Sequence, residues 1–371
     1  MKSSTSVKDE HLIDCAIQTW VTEANGIRPQ SVALAHIDNQ FVYQGDGNYA
    51  GLLAEEDITT QIAPHIENVP LWKASADQVL KGGEPSVPVG THCRSPYVCP
   101  FIGHCWPQTE YPLDGLPGIG RRLNDLVAAG YKDVRDVPSH LLKGRDQLRV
   151  LRAVRSGKSE LLPGAKSELA ALGWPRYYLD FETIGFAIPI WAGTRPYQSL
   201  PFQWSLHVES SPGQLEHAEF LDVSGAAPMR QCAEALIKAA GSQGPILTYT
   251  MFERQCIRTL QSFCPDLAEP LEALSRRLVD LHPIVKKHYY HPAMQGSWSI
   301  KAVLPTLVPD MQYGQLEGIQ EGMGAQQAFV EAIDQATSTD RRTQLRDQLL
   351  AYCGFDTLAM VRVSQQLEGR G

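Results

Sequence analysis

The sequence predicts an α/β fold, with a mixed sheet and flanking helices forming its carboxy-terminal half. Tyr177-Tyr178-Leu179-Asp180-Phe181-Glu182 reads as a strand, and Phe202, Trp204, Leu206 and Val208 alternate with polar residues as a half-exposed strand would. Residues 217–221 supply a third strand. Beyond them the pattern changes: 228–240 and 252–263 read as helices on either side of a short apolar strand at 246–249. A three-strand meander followed by alternating helix and strand predicts a sheet with both antiparallel and parallel neighbours. The chain closes on a helix whose Leu349, Tyr352, Cys353, Asp356, Met360 and Val363 share one stripe.

The preceding half is less regular. A helical opening with Leu12, Ala16 and Trp20 at helical spacing and an alternating run over 31–43 lead into a proline-rich approach to three cysteines, as in the tail of a mixed α/β unit. A mainly helical connector begins at Leu116-Pro117-Gly118-Ile119-Gly120. The predicted domains are therefore 1–110, 111–172 and 173–371. The length of 371 residues with 43% apolar content agrees, being too long for one ordinary core. Neither a membrane-spanning apolar run nor a signal-peptide-like start is found, which predicts a cytoplasmic protein without a membrane partner.

Charge is unevenly spread. The net charge is -8, yet residues 121–166 hold eleven Lys and Arg against five acids. Such a segment suits a polyanion path, although charge alone more often marks a solvated helical face.

The acids form the pattern that carries chemistry. Asp180 and Glu182 stand two apart in a strand, so both leave one face while Leu179 and Phe181 enter the other. Two neighbouring carboxylates repel unless a cation lies between them, and hard divalent cations take oxygen ligands. Asp356 interrupts an apolar stripe, which demands a partner, and Tyr352 sits one turn before it. Glu253 follows a short strand and Asp280 lies between Val279 and Leu281.

Taken in order, Asp180-x-Glu182, Phe252-Glu253 and Tyr352-x-x-x-Asp356 resemble the three motifs of the tyrosine subtype of Asp-Glu-Asp-Asp 3′–5′ exonucleases, which have a ribonuclease H-like fold. The stretch 296–304 resembles the segment that often follows their second motif. The resemblance implies two Mg²⁺ or Mn²⁺ ions, with Asp180 bridging both, Glu182 and Asp356 on the ion carrying the attacking water, and Tyr352 orienting that water. That family usually has Asp after the Phe, so Glu253 departs from it and leaves open whether Glu253 or Asp280 completes the second ion's shell.

Cys93, Cys99 and Cys105 are evenly spaced, and closely placed thiolates suit an iron–sulfur cluster or zinc, with His92, His104 or Cys15 as further ligands. The segment resembles the cysteine triplet of RecB-type and CRISPR-adaptation iron–sulfur nucleases, which implies a 4Fe-4S cluster ahead of zinc. Lys2 and Gln18 resemble the end of that nuclease motif and its following helix. The start thus reads as the remnant of a restriction-endonuclease-like unit lacking its upstream acids and cysteine. Cys232, Cys256, Cys264 and Cys353 read as ordinary buried residues. The whole layout, cysteine triplet, connector and Asp-Phe-Glu motif, resembles the domain of unknown function 2779 (DUF2779) family. The turn at Gly118 and Gly120, with Arg121 and Arg122 after it, resembles a helix-hairpin-helix that holds phosphates.

The expectation is a metal-dependent 3′–5′ exonuclease acting on single-stranded nucleic-acid ends, DNA favoured. The alternative is a catalytically inactive nucleic-acid-binding or scaffold remnant of a two-nuclease protein.

Overall fold

The computed structural model describes residues 1–370 and divides into two compact units. The first comprises Met1–Val87 with Gly185–Ser199. Helices α1 (Asp9–Ala24) and α2 (Thr59–Lys81) pack together, and β1 (Ala33–Ile37) pairs antiparallel with β2 (Leu53–Asp57). Ala16, Leu34, Ile58 and Ile62 form its core. Segment Gly185–Ser199 is held by backbone pairing, Tyr43 N to Thr194 O at 3.0 Å and Gly193 N to Tyr43 O at 2.7 Å.

The second unit, Pro88–Ile184 with Leu200 onward, opens with short helices α3 (Ile102–Cys105), α4 (Arg122–Ala128) and α5 (Arg145–Ser156), then β3 (Glu160–Leu161) and α6 (Gly164–Ala170). Cys93 and Trp106 lie in the same hydrophobic core as Leu116, Leu123 and Val150. The cysteine segment therefore groups with the connector. The strands β4 (Arg176–Ile184), β5 (Leu200–Ser211), β6 (Gln214–Leu221), β7 (Ile246–Thr248) and β8 (Leu278–Asp280) form one sheet in the order β6-β5-β4-β7-β8. Pairing is antiparallel across β6, β5 and β4 and parallel across β4, β7 and β8. This is the mixed sheet with flanking helices that the sequence predicts, and β4 is where strand direction switches.

The remaining helices are α7 (Met229–Ala239), α8 (Phe252–Phe263), α9 (Ala268–Arg276), α10 (Leu281–His288), α11 (Ile300–Leu307), α12 (Gly322–Ile333) and α13 (Thr339–Glu368), with β9 (Tyr289–Tyr290) pairing with β3. The apolar face of β5 packs on α7, where Trp204 Nε1 donates to Cys232 O at 3.1 Å. The opposite face corrects the half-exposed expectation, because Gln203, Ser205, His207 and Glu209 are all buried. Helix α13 covers them and supplies partners: Gln203 Nε2 donates to Leu349 O at 2.7 Å, and the Thr357 hydroxyl lies 2.7 Å from Ser205 Oγ and 2.8 Å from His207 Nδ1. Alternation thus marks a second buried face lined with polar groups that α13 partners, Gln203 Oε1 alone of these lacking a hydrogen bond.

The two ends of this layer are locked by a buried ion pair. Arg176 at the start of β4 meets Glu368 at the end of α13 at 2.9 Å, and its guanidinium also donates to Gly173 O and Leu169 O while lying 3.9 Å from the Trp174 ring centre. Removing one partner leaves the other charge buried and unpaired. Glu368→Ala is expected to lower unfolding free energy by about 3 kcal/mol, measured by denaturant titration. A loss below about 0.5 kcal/mol, the scale of an exposed pair, would show that α13 is not anchored there.

Candidate metal centre

Asp180 and Glu182 project from β4 toward α13. Asp180 pairs across the sheet with Ser205 and Glu182 with Gln203, both on the face that α13 covers. On the other side of β4, Tyr178 is in register with Leu247 of the short strand β7. The chain leaves β7 after Thr248 and enters α8, so Glu253 arrives in the first turn of that helix beyond the carboxyl end of a parallel strand. Strand order reverses between β4 and β7, and the carboxyl ends beside such a reversal are where open α/β sheets present their sites. From α13 come Tyr352, Cys353 and Asp356.

Ligand atoms of Asp180, Glu182 and Cys353 all lie within 4.8 Å of one another, the one such group among the described residues. Cys353 Sγ is 3.8 Å from both the backbone carbonyl and Oδ2 of Asp180. Asp356 accepts a hydrogen bond from the Tyr313 hydroxyl. Lys301 Nζ donates to Tyr352 OH at 3.2 Å and to Gln320 O at 3.0 Å, and it lies 4.9 Å from the Tyr313 ring centre and 5.3 Å from that of Tyr352. Glu253 is 3% exposed and its Oε2 has no hydrogen-bond partner. Asp280, at the end of β8, caps α10 by accepting from His282 N at 2.9 Å.

Crowded carboxylates in a desolvated pocket hold their protons. Burial, then the charges of Asp356, Glu182 and Glu253, push Asp180 well above the carboxylate range. Burial and the Asp356 charge raise Glu182 to about 8. Burial, opposed by a backbone hydrogen bond and reinforced by Asp280, raises Glu253 to about 8. Asp356 rises only to about 6, because the Tyr313 hydroxyl, Lys301 and Tyr352 oppose the effect of burial. A set of acids disturbed in this way is the electrostatic mark of a functional site, and its donors suit a divalent cation.

The structure thus brings Asp180, Glu182, Glu253, Tyr352 and Asp356 within electrostatic reach of one another, with Asp280 acting on Glu253. Cys353 is corrected from an ordinary buried residue to a member of the centre. Its place beside Tyr352 on an apolar stripe gave no sign, because a buried thiol reads as a small hydrophobe. Tyr313 sits in a short turn after α11 and carries no periodic signal. Lys301 falls inside the 296–304 stretch.

The other expected residues are placed differently. Cys93 is buried, Cys99 half-buried and Cys105 exposed, and no three ligand atoms there converge as they do around Asp180. Lys2 Nζ and Gln18 Nε2 both donate to Asp14 Oδ2, at 2.5 and 3.0 Å. Gly118 and Gly120 adopt positive φ with open space around them, at 63° and 50°, which leaves their turn accessible. Arg121 is exposed, whereas Arg122 donates to Leu141 O. Part of the basic segment is structural: Arg149 is 3% exposed and binds Glu160 at 2.6 Å and Lys286 O at 2.7 Å.

Residues 177–299 match the model of a family described as a domain of unknown function, DUF2779. No curated protein and no solved structure matches the chain. Among the described residues no helix is long and apolar enough to cross a membrane.

The raised carboxyls give stability a definite pH dependence. Each keeps its proton to higher pH in the folded chain than in the unfolded one, so the folded state binds more protons from about pH 4 to about 8. Stability therefore falls as pH rises through that window. Chelator-treated protein should melt at progressively lower temperature across it, and excess Mn²⁺ should abolish the fall. A melting temperature that is flat or rising under chelation contradicts the electrostatics described.

Proposed function

We propose that this chain, whose 177–299 segment carries the DUF2779 match, is a metal-dependent 3′–5′ exonuclease hydrolysing phosphodiester bonds at single-stranded ends, DNA favoured. The observation that carries the reading is the burial of Asp180, Glu182, Glu253 and Asp356, with ligand atoms of Asp180 and Glu182 within 4.8 Å of each other and the charges of Glu253 and Asp356 acting on Asp180. The strand order β6-β5-β4-β7-β8 supports a ribonuclease H-like reading of the sheet. In it the acid pair lies on the first strand, Glu253 follows the fourth and the Tyr352–Asp356 pair rides the last helix, matching the order of the exonuclease motifs.

The donor set fits a pair of Mg²⁺ or Mn²⁺ ions, being mainly carboxylate oxygen with an orphaned Glu253 Oε2. Asp180, Glu182 and Asp356 would hold one ion, and Asp180 with Glu253 the other. Glu253 is preferred to Asp280, which already spends an oxygen on capping α10. Bound ions would supply charge stabilisation at the phosphoryl oxygens and lower the pKa of a bound water.

The chain's own groups then have definite tasks. The Tyr313 hydroxyl fixes the orientation of the Asp356 carboxylate by donating to it. Lys301 holds the Tyr352 hydroxyl by donating to its oxygen, which sets that hydroxyl beside Asp356, where it would help orient a water. Exposed Arg121, Lys143 and Arg145 in the same unit offer phosphate contacts that position a strand without reading its sequence. Buried Arg149 takes no such part.

Purified protein with Mn²⁺ or Mg²⁺ should shorten end-labelled single strands stepwise from the 3′ end. Asp180→Asn should slow this more than about 100-fold, and Tyr352→Phe by about 100-fold, with circular dichroism unchanged in both. Shortening that persists in Asp180→Asn, or binding without shortening by the native chain, defeats the proposal. The second outcome would favour a catalytically silent nucleic-acid-binding protein.

A further inference from the structure

The geometry points to a mixed carboxylate–thiolate cation site, Asp180–Glu182–Cys353, that takes a thiophilic divalent ion of the zinc group and thereby excludes Mg²⁺ from the same carboxylates. This rests on reading Asp180 and Glu182 as metal ligands and adds a selectivity to that centre.

The distances suit such an ion. Ligands about 2.3 Å (sulfur) and about 2.1 Å (oxygen) from a tetrahedral cation lie about 3.6 Å apart. Cys353 Sγ is 3.8 Å from Asp180 Oδ2, and the three ligand atoms lie within 4.8 Å of one another. Cys353 is fully buried, as structural cysteines are, but the groups its sulfur touches are the Asp180 carboxylate and carbonyl. An independent observation also calls for a ligand: Glu253, more than nine-tenths buried, has Oε2 without a partner and acts electrostatically on Asp180. Three protein donors and one water make up the four positions that zinc-group ions prefer.

The chemistry separates cations. Mg²⁺ requires oxygen ligands and takes no thiolate, whereas zinc-group ions accept sulfur readily. On binding, the Cys353 S–H bond breaks, its proton leaves to solvent and a sulfur–metal bond forms. A thiophilic ion seated there occupies Asp180 and Glu182, so it inhibits rather than supports chemistry that needs Mg²⁺.

Chelator-treated full-length protein titrated with Cd²⁺ tests this through the ultraviolet thiolate-to-cadmium charge-transfer band, which reports sulfur ligation without reference to activity. The native chain should show one thiolate equivalent more than Cys353→Ser, and Asp180→Asn should lose the same equivalent. Cys353→Ala, which leaves no polar group behind, should repeat the result and guards against misfolding of the serine variant. An undiminished band in both Cys353 variants overturns the inference while leaving the carboxylate centre standing. Native Mn²⁺ affinity in Asp180→Asn overturns the centre itself.

Discussion

Mutual repulsion among buried carboxylates is the constraint on which the second unit turns. Asp180, Glu182, Glu253 and Asp356 come from β4, α8 and α13, and folding brings them together in a pocket where each raises the proton affinity of a neighbour or has its own raised by burial. Such an assembly has no structural advantage over apolar residues of similar size, because burying like charges only costs free energy. It makes sense when a cation is expected between the oxygens. The sheet provides the place, with β4 antiparallel to β5 and parallel to β7.

Helix α13 makes the arrangement hold together. Along one side it hydrogen-bonds to the polar residues of β5, from Gln203 through Ser205 and His207 to Glu209, and at its end it is pinned by the Arg176–Glu368 pair. The middle of the same helix carries Tyr352, Cys353 and Asp356 to the acid pair. A helix fixed by hydrogen bonds on both sides of the site has little freedom to slide, and preorganisation of that kind lets ligands act without reorganising. Tyr313 and Lys301 extend the network from outside α13, one through the carboxylate of Asp356 and the other through the hydroxyl of Tyr352.

Much of this is readable in the sequence, and the parts that are not share a cause. Asp180 and Glu182 announce themselves because strand periodicity places both on one face, and Asp356 because an acid breaks an apolar stripe. Period and composition cannot say what covers a face. The alternation of β5 looks the same whether its polar side meets water or a helix bearing Thr357 and Gln365, so the expected exposure was replaced by a buried polar layer. Cys353 fits an apolar stripe equally well as packing or as ligand, and only the approach of its sulfur to Asp180 decides. Arg149 shows the converse, since a cation in a basic run looked like surface and lies in the core bound to Glu160. Tyr313 reaches Asp356 from a turn with no pattern to mark it.

The central claim is that these acids form a centre for divalent cations, and binding of Mn²⁺ to chelator-treated protein followed by electron paramagnetic resonance tests it most directly. The account predicts uptake of about two ions with the signal broadened by coupling between them, and loss of that uptake when Asp180 and Glu182 are replaced by their amides. No uptake by the native chain, or uptake indifferent to those replacements, would contradict it.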